Sequence, residues 1–339
     1  MIKRILASGG IISIGLMVSS APQTAMAQQR AAAQQRATTK PAWTPPKTPW
    51  GEPDLRGMWP LNHLISTPFQ RQERYGDRRF LTEQEYAEAQ KNAQARNARF
   101  ESGAIPQADS GGASRLTSLL SDPPNGRFPA LTPKGKELYD KMRGSYKPGQ
   151  TVFDTPEDFD TWDRCITRGM PVSMLTRNYN VGIRVMQSPG YVVILLEMAH
   201  EARIIPTDGR PVIDPTIKQY LGESRGRWEG NTLIVETTNF NGKPAMTNAG
   251  VPGSPPLTPA TENLRITERF TRTADDTIEY KITVNDPVVL TAPWSAEFPW
   301  KLDNKYGMYE YACHEGNTAI RNYIETSRFE RANKTATPK

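Results

Sequence analysis

From Asp163 onward the chain alternates apolar and polar residues in short runs rich in β-branched and aromatic side chains, each closed by turn formers. A period of two places every second side chain on one face, which is the signature of a half-buried strand. Nine strands are expected: Gly182 to Gln187, Tyr191 to Met198, Ala202 to Pro206, Arg225 to Trp228, Thr232 to Asn239, Leu264 to Thr271, Thr277 to Asn285, Trp294 to Leu302 and Met308 to Cys313. The connections Ser188-Pro189-Gly190, Glu229-Gly230-Asn231 and Ala274-Asp275-Asp276 are short and suit antiparallel hairpins. Successive hairpins with no helix between them predict a mainly β fold, an antiparallel up-and-down barrel or a sandwich.

The earlier part of the chain has a different texture. The stretch Thr82 to Arg99 is rich in helix formers, with Thr82 as N-cap and Glu85 completing a capping box. A second, short helix is expected near Thr132 to Arg143, and Pro and Gly punctuate what lies between. Five segments follow: a signal peptide over 1–27, a disordered leader over 28–48, a helical, loop-rich cover over 49–162, an antiparallel β domain over 163–330, and a disordered tail over 331–339. The signal peptide is read from Lys3 and Arg4, the apolar run from Ile11 to Val18 and the small-x-small site Ala25-Met26-Ala27. That run is too short to span a bilayer, and no later one approaches the roughly 20 apolar residues a spanning helix needs. A periplasmic or secreted location without stable membrane insertion is therefore expected.

Charge distribution narrows the partners. The net charge is +6, but Lys3, Arg4, Arg30, Arg36, Lys40, Arg331, Lys334 and Lys339 lie in terminal segments without an acid. Setting these eight aside leaves 34 basic residues against 36 acidic ones, so the body of the chain carries no basic footprint for nucleic acid. Cys165 and Cys313 are the two cysteines, and in an oxidising compartment one structural bridge is the expected use.

Several groups are candidates for chemistry. Gly222-Glu223-Ser224-Arg225-Gly226 matches the G-x-S-x-G pattern, yet a nucleophile elbow needs a helix after the serine, and a strand is expected here. The glycines around Ser224 are read instead as a bulge or tight entry into a hairpin. His200 and His314 are flanked by Glu197, Glu201 and Glu315 near strand ends, where acid–base catalysis or a metal through imidazole and carboxylate are both conceivable. His63 is a third, weaker candidate. For a ligand pocket the sequence offers Trp228 and Trp294 as stacking surfaces and Arg203, Glu236 and Glu268 as inward polar groups, since a buried charge needs a partner. No phosphate loop, dinucleotide fingerprint or haem attachment site is present, and no cofactor is implied.

Two resemblances add to this. The segments PWGEPDLRGMW, DPPNGRFPALT, RCITRGMP, MAHEARIIPTDGRP, GESRGRWEGNTLIVETTNF, ENLRITERFTR and YEYACHEGN resemble a large family of exported bacterial proteins. That resemblance implies kinship and export but no particular activity. Gly57-Met58-Trp59 is similar to the G-x-W of lipocalin-like barrels, which implies a tryptophan closing a barrel floor, often under an arginine. Taken together, the leading expectation is a small organic ligand, aromatic or sugar-like, in a pocket at one end of the sheet. A hydrolase, lyase or isomerase using His200 and His314, and an envelope-associated structural protein, are the alternatives.

Overall fold

The structure is a computed structural model that describes residues 43–103, 111–248 and 250–336. The expected signal peptide and residues 28–42 of the expected leader lie outside the described residues. Every element named below belongs to the compact unit that begins at Pro45.

Two antiparallel sheets carry the fold. The smaller contains β1 (Gly57–Met58), β3 (Ile183–Ser188), β4 (Tyr191–Leu196) and β5 (Ala202–Pro206), in the order β1-β3-β4-β5. The larger contains β2 (Leu120–Asp122), β6 (Glu223–Glu229), β7 (Thr232–Thr238), β10 (Arg265–Ala274), β11 (Thr277–Asn285) and β12 (Trp294–Lys301), in the order β2-β12-β11-β10-β7-β6. A short ladder of β8 (Thr247–Asn248) and β9 (Leu257–Thr258) stands apart from both. Among the described residues three α-helices accompany the sheets: α1 (Glu83–Glu101), α2 (Pro133–Lys141) and α3 (Ala319–Ala336). Among the described residues no helix is long and apolar enough to cross a membrane.

Local chemistry accounts for most of the elements. Ser188 pairs with Tyr191 and Glu229 with Thr232, so each hairpin turns through two residues, with Gly190 and Gly230 in the left-handed region. Gly230 stands first in its turn, the primed arrangement whose twist matches the flanking strands, whereas Pro189-Gly190 puts the glycine second, as in a type II turn. Along β4, Val192, Ile194 and Leu196 point inward, and along β11 Ile278, Tyr280, Ile282 and Val284 do the same. The inner faces of both sheets contribute to one apolar cluster, in which Val185, Ile194 and Ile205 join Val235, Ile266 and Phe270. Thr82 accepts from the Glu85 amide while the Glu85 carboxylate accepts from the Thr82 amide, which caps α1 as expected.

The antiparallel, mainly β architecture is therefore as the alternation predicts, with two corrections of detail. Among the described residues the strands do not close into a barrel: β1 and β5 are the edges of one sheet, β2 and β6 the edges of the other. β5 nevertheless runs close to β6. A Cβ on Gly226 would lie 2.9 Å from Thr207 Cγ2 and 3.0 Å from Ile205 Cγ2, so this glycine admits the neighbouring strand. The β6–β7 register is uninterrupted, and close approach, not a bulge, explains the glycine.

The second correction concerns the C-terminal segment. Met308 to Cys313 forms no strand: two of its amides go to side chains, Tyr309 N–H to Glu197 and Tyr311 N–H to His200, and the Cys313 amide turns back to the Tyr311 carbonyl. Beyond it α3 runs to Ala336, through most of the stretch expected to be a disordered tail. The described residues of this helix are polar on almost every side, which leaves little period to read. It is held by Tyr323, whose ring meets Phe153 and Phe159 edge-on, by Ser327 Oγ, which accepts the Phe153 amide at 3.0 Å, and by Arg328, which donates to the Asp154 carbonyl at 2.8 Å.

The N-terminal cover is woven into the sheets. β1 pairs with β3 and β2 with β12, and Phe69 meets Trp294 edge-on at 5.3 Å. Trp59 is fully buried, donates from Nε1 to the Leu55 carbonyl at 2.9 Å and lies under the Arg272 guanidinium at 5.7 Å.

Candidate functional site

The inward polar residues of the two sheets meet one another. Arg203 on β5 donates to Glu268 on β10 through both terminal nitrogens, at 2.9 and 2.5 Å, in a bidentate pair with side chains 3% and 0% exposed. Tyr280 donates to the same carboxylate at 2.8 Å, and Ser224 and Thr237 share a hydrogen bond of 2.9 Å beside the guanidinium. Burial pulls the Arg203 guanidinium down, but the Glu268 carboxylate outweighs it and holds the pKa above its ordinary value. Burial pushes the Tyr280 phenol far up, so it stays a donor. Ser224 thus sits near the start of β6 with Thr237 and Arg203 as its partners, and a strand, not a helix, follows it, so the nucleophile-elbow context is lacking.

The other expected ligand groups are dispersed. Trp294 is fully buried against Phe69 and Phe128. Trp228 is half-buried, and its Nε1 has no hydrogen-bond partner among the described residues. Glu236 points to the opposite, solvent-facing side of the large sheet, where it pairs with Arg227 at 3.2 Å.

At one end of the small sheet, the chain reverses between β4 and β5 through Ala199 and His200, both in the left-handed region. His200 is exposed, and its Nε2 accepts the Tyr311 amide at 2.8 Å, which leaves the ring proton on Nδ1 in the neutral form. Glu197, buried, accepts from Asn180 at 3.0 Å, the Tyr309 amide at 3.0 Å, the Gly182 amide at 2.9 Å and the Tyr306 hydroxyl at 2.8 Å. Glu201, also buried, accepts from Thr167, from the Arg168 amide at 2.9 Å and from Ser173 at 2.6 Å. Both carboxylates are saturated and act as fasteners for loops. The Cys165–Cys313 disulfide, with Cα atoms 5.6 Å apart, brings the segment carrying His314 and Glu315 to this end, where both are exposed. No hydrogen bond among the described residues joins the two histidine side chains. His63 donates from Nε2 to the Pro299 carbonyl at 2.9 Å, and burial keeps its pKa below the ordinary value. Among the described residues no group of three or more His, Cys, Asp and Glu is placed to hold a metal ion.

The same end holds groups that the strand pattern does not reveal. Arg168 is buried over the Trp162 ring at 4.3 Å and donates to Asn248 at 2.6 Å. Burial and the neighbouring Arg177 pull its pKa down to about 9. Beside it a cleft of about 320 Å³ opens between the loop over 142–164 and the segments carrying Tyr220, Lys243 and Leu257. Asp160 lines this cleft and is only 6% exposed, and its Oδ2 has no hydrogen-bond partner among the described residues. Burial and the Asp163 carboxylate push the Asp160 pKa up to about 6. The cations around it are unequal in commitment. Arg143 is held by Asp158 at 2.5 Å and Arg164 by Glu157 at 3.4 Å, while Lys243 lies over the Tyr220 ring at 5.8 Å.

Asp160, Tyr220 and Lys243 were invisible to motif reasoning because they come from three distant loops. One local signal existed: Glu157, Asp158, Asp160 and Asp163 crowd the approach to Cys165, and such crowding makes it costly to keep every carboxylate ionised. Comparison of the chain with protein-family models, with curated proteins and with solved structures gives no match.

Proposed function

We propose that this protein binds a small organic molecule, and that it does so in the loop-bounded cleft beside Asp160, not between the sheets. The observation that carries this reading is a buried carboxyl oxygen without a partner, on a residue lining a cavity of about 320 Å³. Buried polar atoms are almost always hydrogen-bonded, and an exception in a cleft is what a ligand's donor would satisfy. The volume falls at the lower end of the range typical of small-molecule pockets. Between the sheets, by contrast, Trp59, Trp294, Trp300 and Tyr280 occupy the space, and Arg203 and Glu268 satisfy each other.

Acid–base chemistry at His200 and His314 has less support, because Glu197 and Glu201 already accept several hydrogen bonds each and have no role left as proton carriers. The bridge between Cys165 and Cys313 fits an oxidising compartment, and we place the protein in the periplasm or outside the cell. Of the lipocalin likeness, the burial of Trp59 under Arg272 is the part with support.

A thermal-shift screen of envelope and plant-derived small molecules tests the reading. A ligand at a hundred times its Kd stabilises the native state by about 2.7 kcal/mol. The rise in Tm is expected in the wild-type protein and is expected to shrink in Asp160→Asn. A ligand that stabilises both proteins equally would place the site elsewhere.

A further inference from the structure

Resting on the binding reading above, we infer that the ligand of the Asp160 cleft is a small aliphatic zwitterion, with an ammonium group directed to Asp160 and a carboxylate to Lys243. The argument is one of unspent charge. Five charged side chains line the cleft, and two of the cations are already engaged: Arg143 by Asp158 and the Val152 carbonyl, each at 2.5 Å, and Arg164 by Glu157. What remains is Asp160, whose Oδ2 has no hydrogen-bond partner, and Lys243, which has no ion pair among the described residues.

Opposite charges at separate points of one cavity select for a ligand carrying the complementary pair. A molecule with the ammonium alone leaves Lys243 unmatched, and a neutral polyol matches neither charge. A buried carboxylate gains most from a charged donor, since charge-assisted hydrogen bonds are about twice as strong as neutral ones. Part of the cleft wall is hydrocarbon: Phe159, Ala245 and Leu257 are buried apolar side chains lining it. This wall suits methylene groups better than hydroxyls, which would lose their water there. With liquid water occupying about 30 Å³ per molecule, the cavity has room for on the order of ten non-hydrogen atoms. An amino acid with a short unbranched stem fits that limit.

Titration calorimetry on the full chain decides it, with the ω-amino acids from glycine to aminohexanoate as probes and butylamine, butanoate and glucose as controls. The expected result is that one length of amino acid binds best, at least tenfold more tightly than butylamine, butanoate or glucose. Lys243→Gln, at an exposed position, should weaken that amino acid at least tenfold while leaving the binding of butylamine unchanged, and Asp160→Asn should weaken both amines. Glucose binding that is lost in Asp160→Asn would overturn the zwitterion and leave the binding reading standing. Equal binding of the best amino acid to wild type and Lys243→Gln would also overturn it. Failure of every probe, charged or neutral, would count against the inference and the cleft together.

Discussion

Of the places where this molecule buries charged side chains, two treat them in opposite ways. Between the sheets, Arg203, Glu268, Tyr280, Ser224 and Thr237 close on one another in a network tied by a bidentate ion pair. In the loops at the end of the small sheet, Asp160 is buried with one oxygen unmatched and a second carboxylate, Asp163, nearby. The first arrangement cancels its own desolvation cost and leaves nothing for a ligand. The second leaves an electrostatic deficit beside an opening. Burial of charge by itself therefore says little about function; whether the charge is satisfied internally is what separates a structural clasp from a site.

The largest effect that would break this comparison comes from the clasp. Glu268→Gln or Arg203→Met leaves the partner buried and poorly matched, and is expected to cost about 3–5 kcal/mol in urea unfolding. The double replacement Arg203→Met with Glu268→Leu should recover most of that loss, because neither charge is then stranded. A double variant as unstable as the single ones would show that the pair does more than cancel itself.

A smaller effect, of opposite sign, is expected at Asp160. Its folded-state pKa of about 6 lies above the unfolded carboxylate value, so the native state binds the proton more tightly. The stability that this confers is fully present below about pH 4 and is lost as pH rises through about 6. Asp160→Asn, which removes the buried charge, should stabilise the protein at pH 7.5 by roughly 2–3 kcal/mol, with the gain fading toward pH 4. Unfolding curves at the two pH values measure it, and a gain that does not change with pH would remove the electrostatic reading of the site. The smallest effect belongs to the solvent-facing pair: Glu236→Ala breaks its bond to Arg227, both side chains being about half exposed, and should change stability by less than about 0.5 kcal/mol. A larger loss would mean that the outer face of the large sheet contributes more than a screened surface.

Eight of the nine strands expected from alternation stand in the structure within a few residues, and so do the two N-terminal helices. What was not legible had physical causes. Met308 to Cys313 carries a strand-like composition, but two of its backbone donors are met by Glu197 and His200, side chains more than a hundred residues away. Helix α3 has too weak an apolar stripe to announce itself. Arg203 and Glu268 were legible as inward polar residues in need of partners, though not as partners of each other. Asp160 was legible only as one of four crowded carboxylates, because nothing in its immediate sequence shows that Tyr220 and Lys243 will line the same cleft.

Local period and turn chemistry are written residue by residue, so the sequence by itself determined the hairpins, the antiparallel sense of the sheets, the cap of α1 and, with two cysteines in all, the one disulfide available. How the two sheets stack was decided by tertiary structure alone. The tertiary fold chose which buried charges are paired across 65 residues of chain and which keep an oxygen without a partner beside a cleft. The physical reason is that a charged side chain's state depends on what surrounds it in space, and alternation records only the face on which it lies.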